Sequence, residues 1–108
     1  MPKEDRRIIF SNEEVYKALY TLRDQKTMRK LPVGQIITAG NDPKEPTTMF
    51  FMLENNIEQT VTKIEQNEDF VAAALMLFCR GCGIPLPKNA KKSVLVQDGV
   101  VILRVLIT

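Results

Sequence analysis

Residues 9–32, IFSNEEVYKALYTLRDQKTMRKLP, and residues 64–87, IEQNEDFVAAALMLFCRGCGIPLP, decide how this chain reads, because the second stretch repeats the first at an offset of 55. Ile9, Asn12, Glu13, Ala18, Leu22, Leu31 and Pro32 recur as Ile64, Asn67, Glu68, Ala73, Leu77, Leu86 and Pro87, and Glu14 is answered by Asp69. Each copy reads as a short strand, a capped helix, a Leu-Pro stop and a hairpin. Two such units imply an α+β domain of pseudo-repeated β-α-β-β halves, residues 6–54 and 61–108, giving a mainly antiparallel sheet packed by two helices.

The helix signals are local. Ser11 with Glu14 three residues on is a capping box, in which each side chain satisfies an otherwise unpaired backbone donor of the first turn. Val15, Ala18, Leu19 and Leu22 follow at helical spacing, and Arg23, Lys26, Arg29 and Lys30 place positive charge toward the far end. Pro32 disfavours helix at Leu31, so the first helix is expected to stop there. The second is expected over 68–80, with Asn67 as N-cap and Glu68 and Asp69 in its first turn. It is apolar nearly all round from Phe70 to Phe78, the mark of a helix buried on more than one side. Gly81 and Gly83 are candidates for a left-handed cap.

Outside the helices, residues 6–10, 33–39, 47–53, 93–96 and 100–107 are rich in β-formers, with turn chemistry at Gly40-Asn41-Asp42-Pro43 and Gln97-Asp98-Gly99. Residues 55–66 fit either period, and the repeat favours a strand at Thr60–Ile64. Met49–Leu53 and Val100–Ile107 do not alternate, which predicts cover on both faces of their sheet. Two helices cover one face. A homodimer through the bare sheet face or the second helix is the expected resolution.

With 108 residues the chain is expected to form a single domain, and 44% hydrophobic with 26% charged residues is the balance of a folded globule. The first residues, Met-Pro-Lys-Glu-Asp-Arg-Arg, contain no apolar run resembling a secretory signal, and Phe70–Cys79 is too short to span a bilayer, so a cytoplasmic location without membrane is expected.

Catalysis finds little support. There is no histidine, the two serines are Ser11 and Ser93, and Ser11 is assigned to a cap, so no Ser-His or Cys-His nucleophile can be assembled. The carboxylate pairs Glu13-Glu14 and Glu68-Asp69 lie in first helical turns, where the macrodipole accounts for them. No phosphate-binding glycine loop or metalloprotease motif is present. The reading is therefore a protein that is not an enzyme and holds no cofactor.

Cys79-Arg80-Gly81-Cys82 is a CxxC at the wrong end of a helix for a redox site, since the negative end of the dipole disfavours a thiolate there. It is also only half of a zinc site, to be completed, if at all, by the same pair across a dimer. Otherwise Cys79 is a small apolar core residue. The element order is similar to that of the LAGLIDADG endonucleases, whose repeat helices each end in an acidic metal ligand; the aligned ends here are Asp24 and Cys79, so the resemblance carries over no metal site.

Two basic clusters follow the two helices: Lys26, Arg29 and Lys30, then Lys88, Lys91 and Lys92. Placed equivalently in the repeats, they could straddle a duplex or an acidic partner. The net charge of +2 is mild, and no aromatic-interleaved basic stripe accompanies them. The sequence therefore points to a small interaction or adaptor protein that self-associates, with nucleic-acid binding through the paired basic loops as the alternative.

Overall fold

The computed structural model describes residues 3–107. The chain order is β1 (Glu4–Phe10), α1 (Asn12–Gln25), β2 (Gln35–Asn41), β3 (Thr48–Asn55), β4 (Thr60–Asn67), α2 (Glu68–Gly81), β5 (Lys91–Gln97) and β6 (Val100–Ile107). This is the β-α-β-β unit twice over, an α+β fold, and residues 60–67 are strand.

The six strands form two three-stranded antiparallel sheets rather than one, in the orders β1-β6-β5 and β2-β3-β4. Each sheet takes its outer strand from one half of the chain and its hairpin from the other. β1 pairs with β6, from Glu4 opposite Ile107 to Phe10 opposite Val101, while β4 pairs with β3, from Thr60 opposite Asn55 to Asn67 opposite Thr48. β2 and β5 border each other without a shared ladder. The register of β2 shifts between Ile36 and Thr38, and such a bulge bends a strand and interrupts its pairing.

One core unites the two sheets and both helices. Phe10, Val94, Val101, Leu103 and Val105 enter it from the first sheet and Ile36, Ala39, Met49, Phe51 and Leu53 from the second. α1 contributes Val15, Ala18, Leu19 and Leu22, and α2 contributes Val71, Ala74, Leu75 and Cys79. The exchange extends to packing, because the Phe10 ring of β1 meets Phe78 of α2 edge-on at 6.0 Å.

The structural repeat runs one residue longer than the identities suggest, at 56: Ser11 and Asn67 are the N-caps, Lys26 and Cys82 the C-caps. This register superposes Val15 on Val71, Ala18 on Ala74 and Leu19 on Leu75, all buried. At 55, by contrast, Ala18 and Leu22 meet the half-buried Ala73 and Leu77. Matching by identity weighs surface and core positions alike, whereas the fold aligns the residues that pack.

α1 also stops at Gln25, well before Pro32. Thr27 adopts a left-handed conformation at φ 51°, and the Met28 N–H donates to the Arg23 carbonyl at 2.9 Å. Gly83, at φ 74°, does the same for α2, with Ile84 N–H donating to the Cys79 carbonyl at 2.8 Å, while Gly81 remains inside the helix. Both ends are thus Schellman closures, and the first is made without the glycine that normally signals one. The capping box is as expected: Ser11 Oγ accepts from Glu14 N–H at 3.1 Å, and Glu14 Oε1 accepts from Ser11 N–H at 2.8 Å.

Candidate functional site

The sheet face turned away from the helices is the first candidate. Pairing register places Ile9, Ile102 and Leu95 in one row across the first sheet, flanked by Val100, Leu106, Arg104, Arg7, Asp5 and Lys91. Ile102, on the middle strand of that row, is 6% exposed, while Ile9 on the edge strand is 67% exposed. On the second sheet the same face carries Phe50, Met52, Glu54, Val61, Lys63 and Glu65. Val61 is 55% exposed and Ile37, at the bulge, 47%. The double-sided cover expected for β3 and β6 is therefore incomplete: Met49, Phe51 and Leu53 alternate with the half-buried Phe50 and Met52.

This outer face is ordered by its own contacts. The Phe50 ring lies on Gly40, where a Cβ would stand 2.8 Å from ring atom Cζ, so Gly40 is the residue that lets the ring lie flat on the sheet. Lys63 Nζ sits 5.4 Å from the centre of that ring and 3.6 Å from Glu65 Oε1. Arg104 grips Asp5 with two bonds, Nε to Oδ1 at 3.0 Å and Nη2 to Oδ2 at 2.8 Å. That hydrogen-bonded fork holds the Asp5 carboxyl below its ordinary value and ties the edge strand β1 to β6.

The cysteines divide. Cys79 is sealed in the core, and burial, followed by Cys82 and Glu14, pushes its thiol pKa up; Cys82 is the exposed C-cap of α2, and the two are not bonded. A zinc site shared across a dimer is therefore out of reach for Cys79. Among the described residues no group of three His, Cys, Asp or Glu side chains could hold a metal ion. A native-state thiol titration with an aromatic disulfide should accordingly release one equivalent quickly, from Cys82, and the second only on unfolding. Rapid release of two would show that the core around Cys79 opens readily.

The six cations do not form the symmetric pair of loops anticipated from the sequence. Lys26, Arg29 and Lys30 are exposed after α1, and Lys88 is exposed after α2, but Lys91 and Lys92 open strand β5. Adjacent strand residues face opposite ways, so Lys91 lies on the outer face with Leu106 while Lys92 turns inward opposite Val105. At the structural spacing, Lys88, Lys91 and Lys92 correspond to Pro32, Gln35 and Ile36. The shared Leu-Pro pair that suggested equivalence belongs to the shorter offset.

The structure instead gathers Arg80, Lys88 and Lys92 around a groove of about 500 Å³ floored by Met76, Ile84, Leu86 and the flanking prolines Pro85 and Pro87. Sequence reading passed over Arg80, which stood only as the interior of a CxxC. Its position at the last turn of an apolar helix ahead of a proline-rich loop was the available signal. A smaller apolar cleft of about 240 Å³ runs between α1 and α2 over Ala18, Ala74, Leu77 and Phe78.

Among the described residues no helix is long and apolar enough to cross a membrane. Comparison of the chain with protein-family models, with curated proteins and with solved structures finds no match in any of the three.

Proposed function

We propose that this chain is a non-catalytic interaction module that acts as a homodimer, its two copies meeting through the outer sheet face. The observation that carries this reading is a surplus of surface. The chain exposes 7246 Å², whereas a compact monomer of its mass exposes about 6,100 Å². The excess goes with an elongated outline of 53 × 29 × 21 Å, and on the outer face it includes Ile9, Val61 and Ile37, which are 67%, 55% and 47% exposed. The chain's radius of gyration, 14.3 Å, likewise exceeds the approximately 13 Å expected for its length.

Charge supports a second copy as the occupant. The outer face of the first sheet carries Arg7, Lys91 and Arg104 against Asp5, and that of the second carries Glu54 and Glu65 against Lys63. A twofold axis along the seam between β2 and β5 lays the basic sheet of one copy on the acidic sheet of the other and encloses Ile9, Ile37 and Val61. Such an isologous contact brings the apolar residues of the two copies together and sets the opposite charges of the two sheets across from each other.

Light-scattering mass on a sizing column tests this. The wild type should run at twice 12.3 kDa, and Ile9→Glu with Ile37→Glu should reduce it to the monomer with unchanged circular dichroism. A wild-type monomer at micromolar concentration overturns the reading. Nucleic acid that co-purifies and is stripped by salt would favour the polyanion alternative through Lys26, Arg29, Lys30, Lys88, Lys91 and Lys92.

A further inference from the structure

The groove at the end of α2 has a built-in control, the corresponding place at the end of α1. There the loop is fastened down. Tyr16 Oη donates to the Pro32 carbonyl at 3.0 Å, Arg23 Nε donates to the Arg29 carbonyl at 2.9 Å, and Leu31 is buried beneath. At the structural spacing of 56, the counterparts of Tyr16 and Arg23 are Ala72 and Cys79, which have no such donors to offer. Pro85 and Pro87 stiffen the second loop. The groove lies between this loop and the last turns of α2.

What lines that space is one-sided. Arg80 comes from the helix, Lys88 from the loop and Lys92 from β5, and no carboxylate is among the lining residues. Among the described residues none of the three cations takes part in an ion pair. Lys92 Nζ has one bond, to the Ala90 carbonyl at 3.4 Å, and keeps donors to spare. Arg80 replaces Asp24 of the first half, so the sign of the charge is reversed at the very position where the groove opens.

The negative end of α2 disfavours an anion, and Arg80, Lys88 and Lys92 set three positive charges against it. The Phe78, Cys79 and Arg80 carbonyls accept from the N–H groups of Cys82, Ile84 and Gly83 at 3.0, 2.8 and 3.2 Å. The floor is apolar, and the volume lies within the range of small-molecule sites. We propose that this groove binds a small organic anion, a carboxylate or phosphate monoester attached to an apolar body, with Arg80 forking the acid group, Lys88 and Lys92 flanking it, and Met76, Ile84 and Leu86 receiving the apolar part.

Titration of the full chain with naphthoate, naphthyl phosphate and the neutral naphthamide, followed through methyl resonances, tests the assignment. The shifts should concentrate on Met76, Ile84 and Leu86, and at least one of the two anions should bind about tenfold tighter than the amide. Which anion binds better identifies the acid group. Arg80→Gln and Lys88→Gln, both at exposed positions that the fold does not need, should each weaken the preferred anion several-fold while leaving the amide unchanged. Equal affinity for amide and anions, shifts centred on the outer sheet face, no shifts at millimolar ligand, or unaltered anion binding in both variants would overturn it.

Discussion

Cutting the chain at Ile57 should abolish the fold of both products as monomers. Ile57 is 94% exposed at the tip between β3 and β4, so a break there removes no packed side chain. Yet one fragment retains β1 without β6 and β3 without β4, and the other retains the complementary strands. Neither owns a complete sheet, and the full stability of the domain, on the order of 5–15 kcal/mol, is at stake. Far-ultraviolet circular dichroism should show two largely unfolded fragments and recovery of the native spectrum on equimolar mixing. Two copies of one fragment could also recreate the exchange with each other, so a folded homodimer of fragments agrees with this topology. A fragment that folds as a monomer would contradict it.

Phe51→Ala should be the most damaging single substitution. Phe51 is 1% exposed on the inner face of β3, between Ala39 and Ile64 of the neighbouring strands. Removing a buried ring leaves a cavity and costs about 3–5 kcal/mol, which for a domain of this size lowers Tm by roughly 15–25 °C. The adjacent residue provides the contrast. Phe50 lies on the opposite face against Gly40 and beneath Lys63, and in the monomeric Ile9→Glu, Ile37→Glu background, where no second copy covers that face, Phe50→Ala should cost about 1 kcal/mol. Thermal melts of the two variants compare the sheet faces directly. Equal losses would mean that the outer face is covered to the same degree as the inner.

Local signals were legible in proportion to their independence from tertiary structure. The capping box at Ser11 and Glu14, the Asn67 cap and the turn at Asp98-Gly99, both at positive φ, depend on a few neighbouring residues, and each stands where it was read. The end of α1 was not legible, because Thr27 closes the helix in a conformation for which its side chain is poorly suited, at a cost of about 1–2 kcal/mol. Pairing was hidden for a different reason. Nothing in the alternation of β1 says whether its partner is the hairpin of its own half or of the other. The groove was hidden because it arises from what α2 lacks, the equivalents of Tyr16 and Arg23, and absence at two positions is visible only once the register of the repeat is known. The outer face was anticipated in kind, as bare apolar sheet. Its charge division between the two sheets required the strand order.

The exchange of strands between the halves also sets an order of assembly. β2, β3 and β4 are consecutive and joined by short turns, so their sheet can close as soon as residue 67 is free of the ribosome. β1 must wait for β6, whose last paired residue, Ile107, lies opposite Glu4. At about 5–20 residues per second, that delay is on the order of 5–20 s. Through it the start of β1 is a solitary strand with open edges. Glu4, Asp5, Arg6 and Arg7, a run of four charges in the segment that waits longest, keep it in water rather than in apolar contacts until β6 arrives.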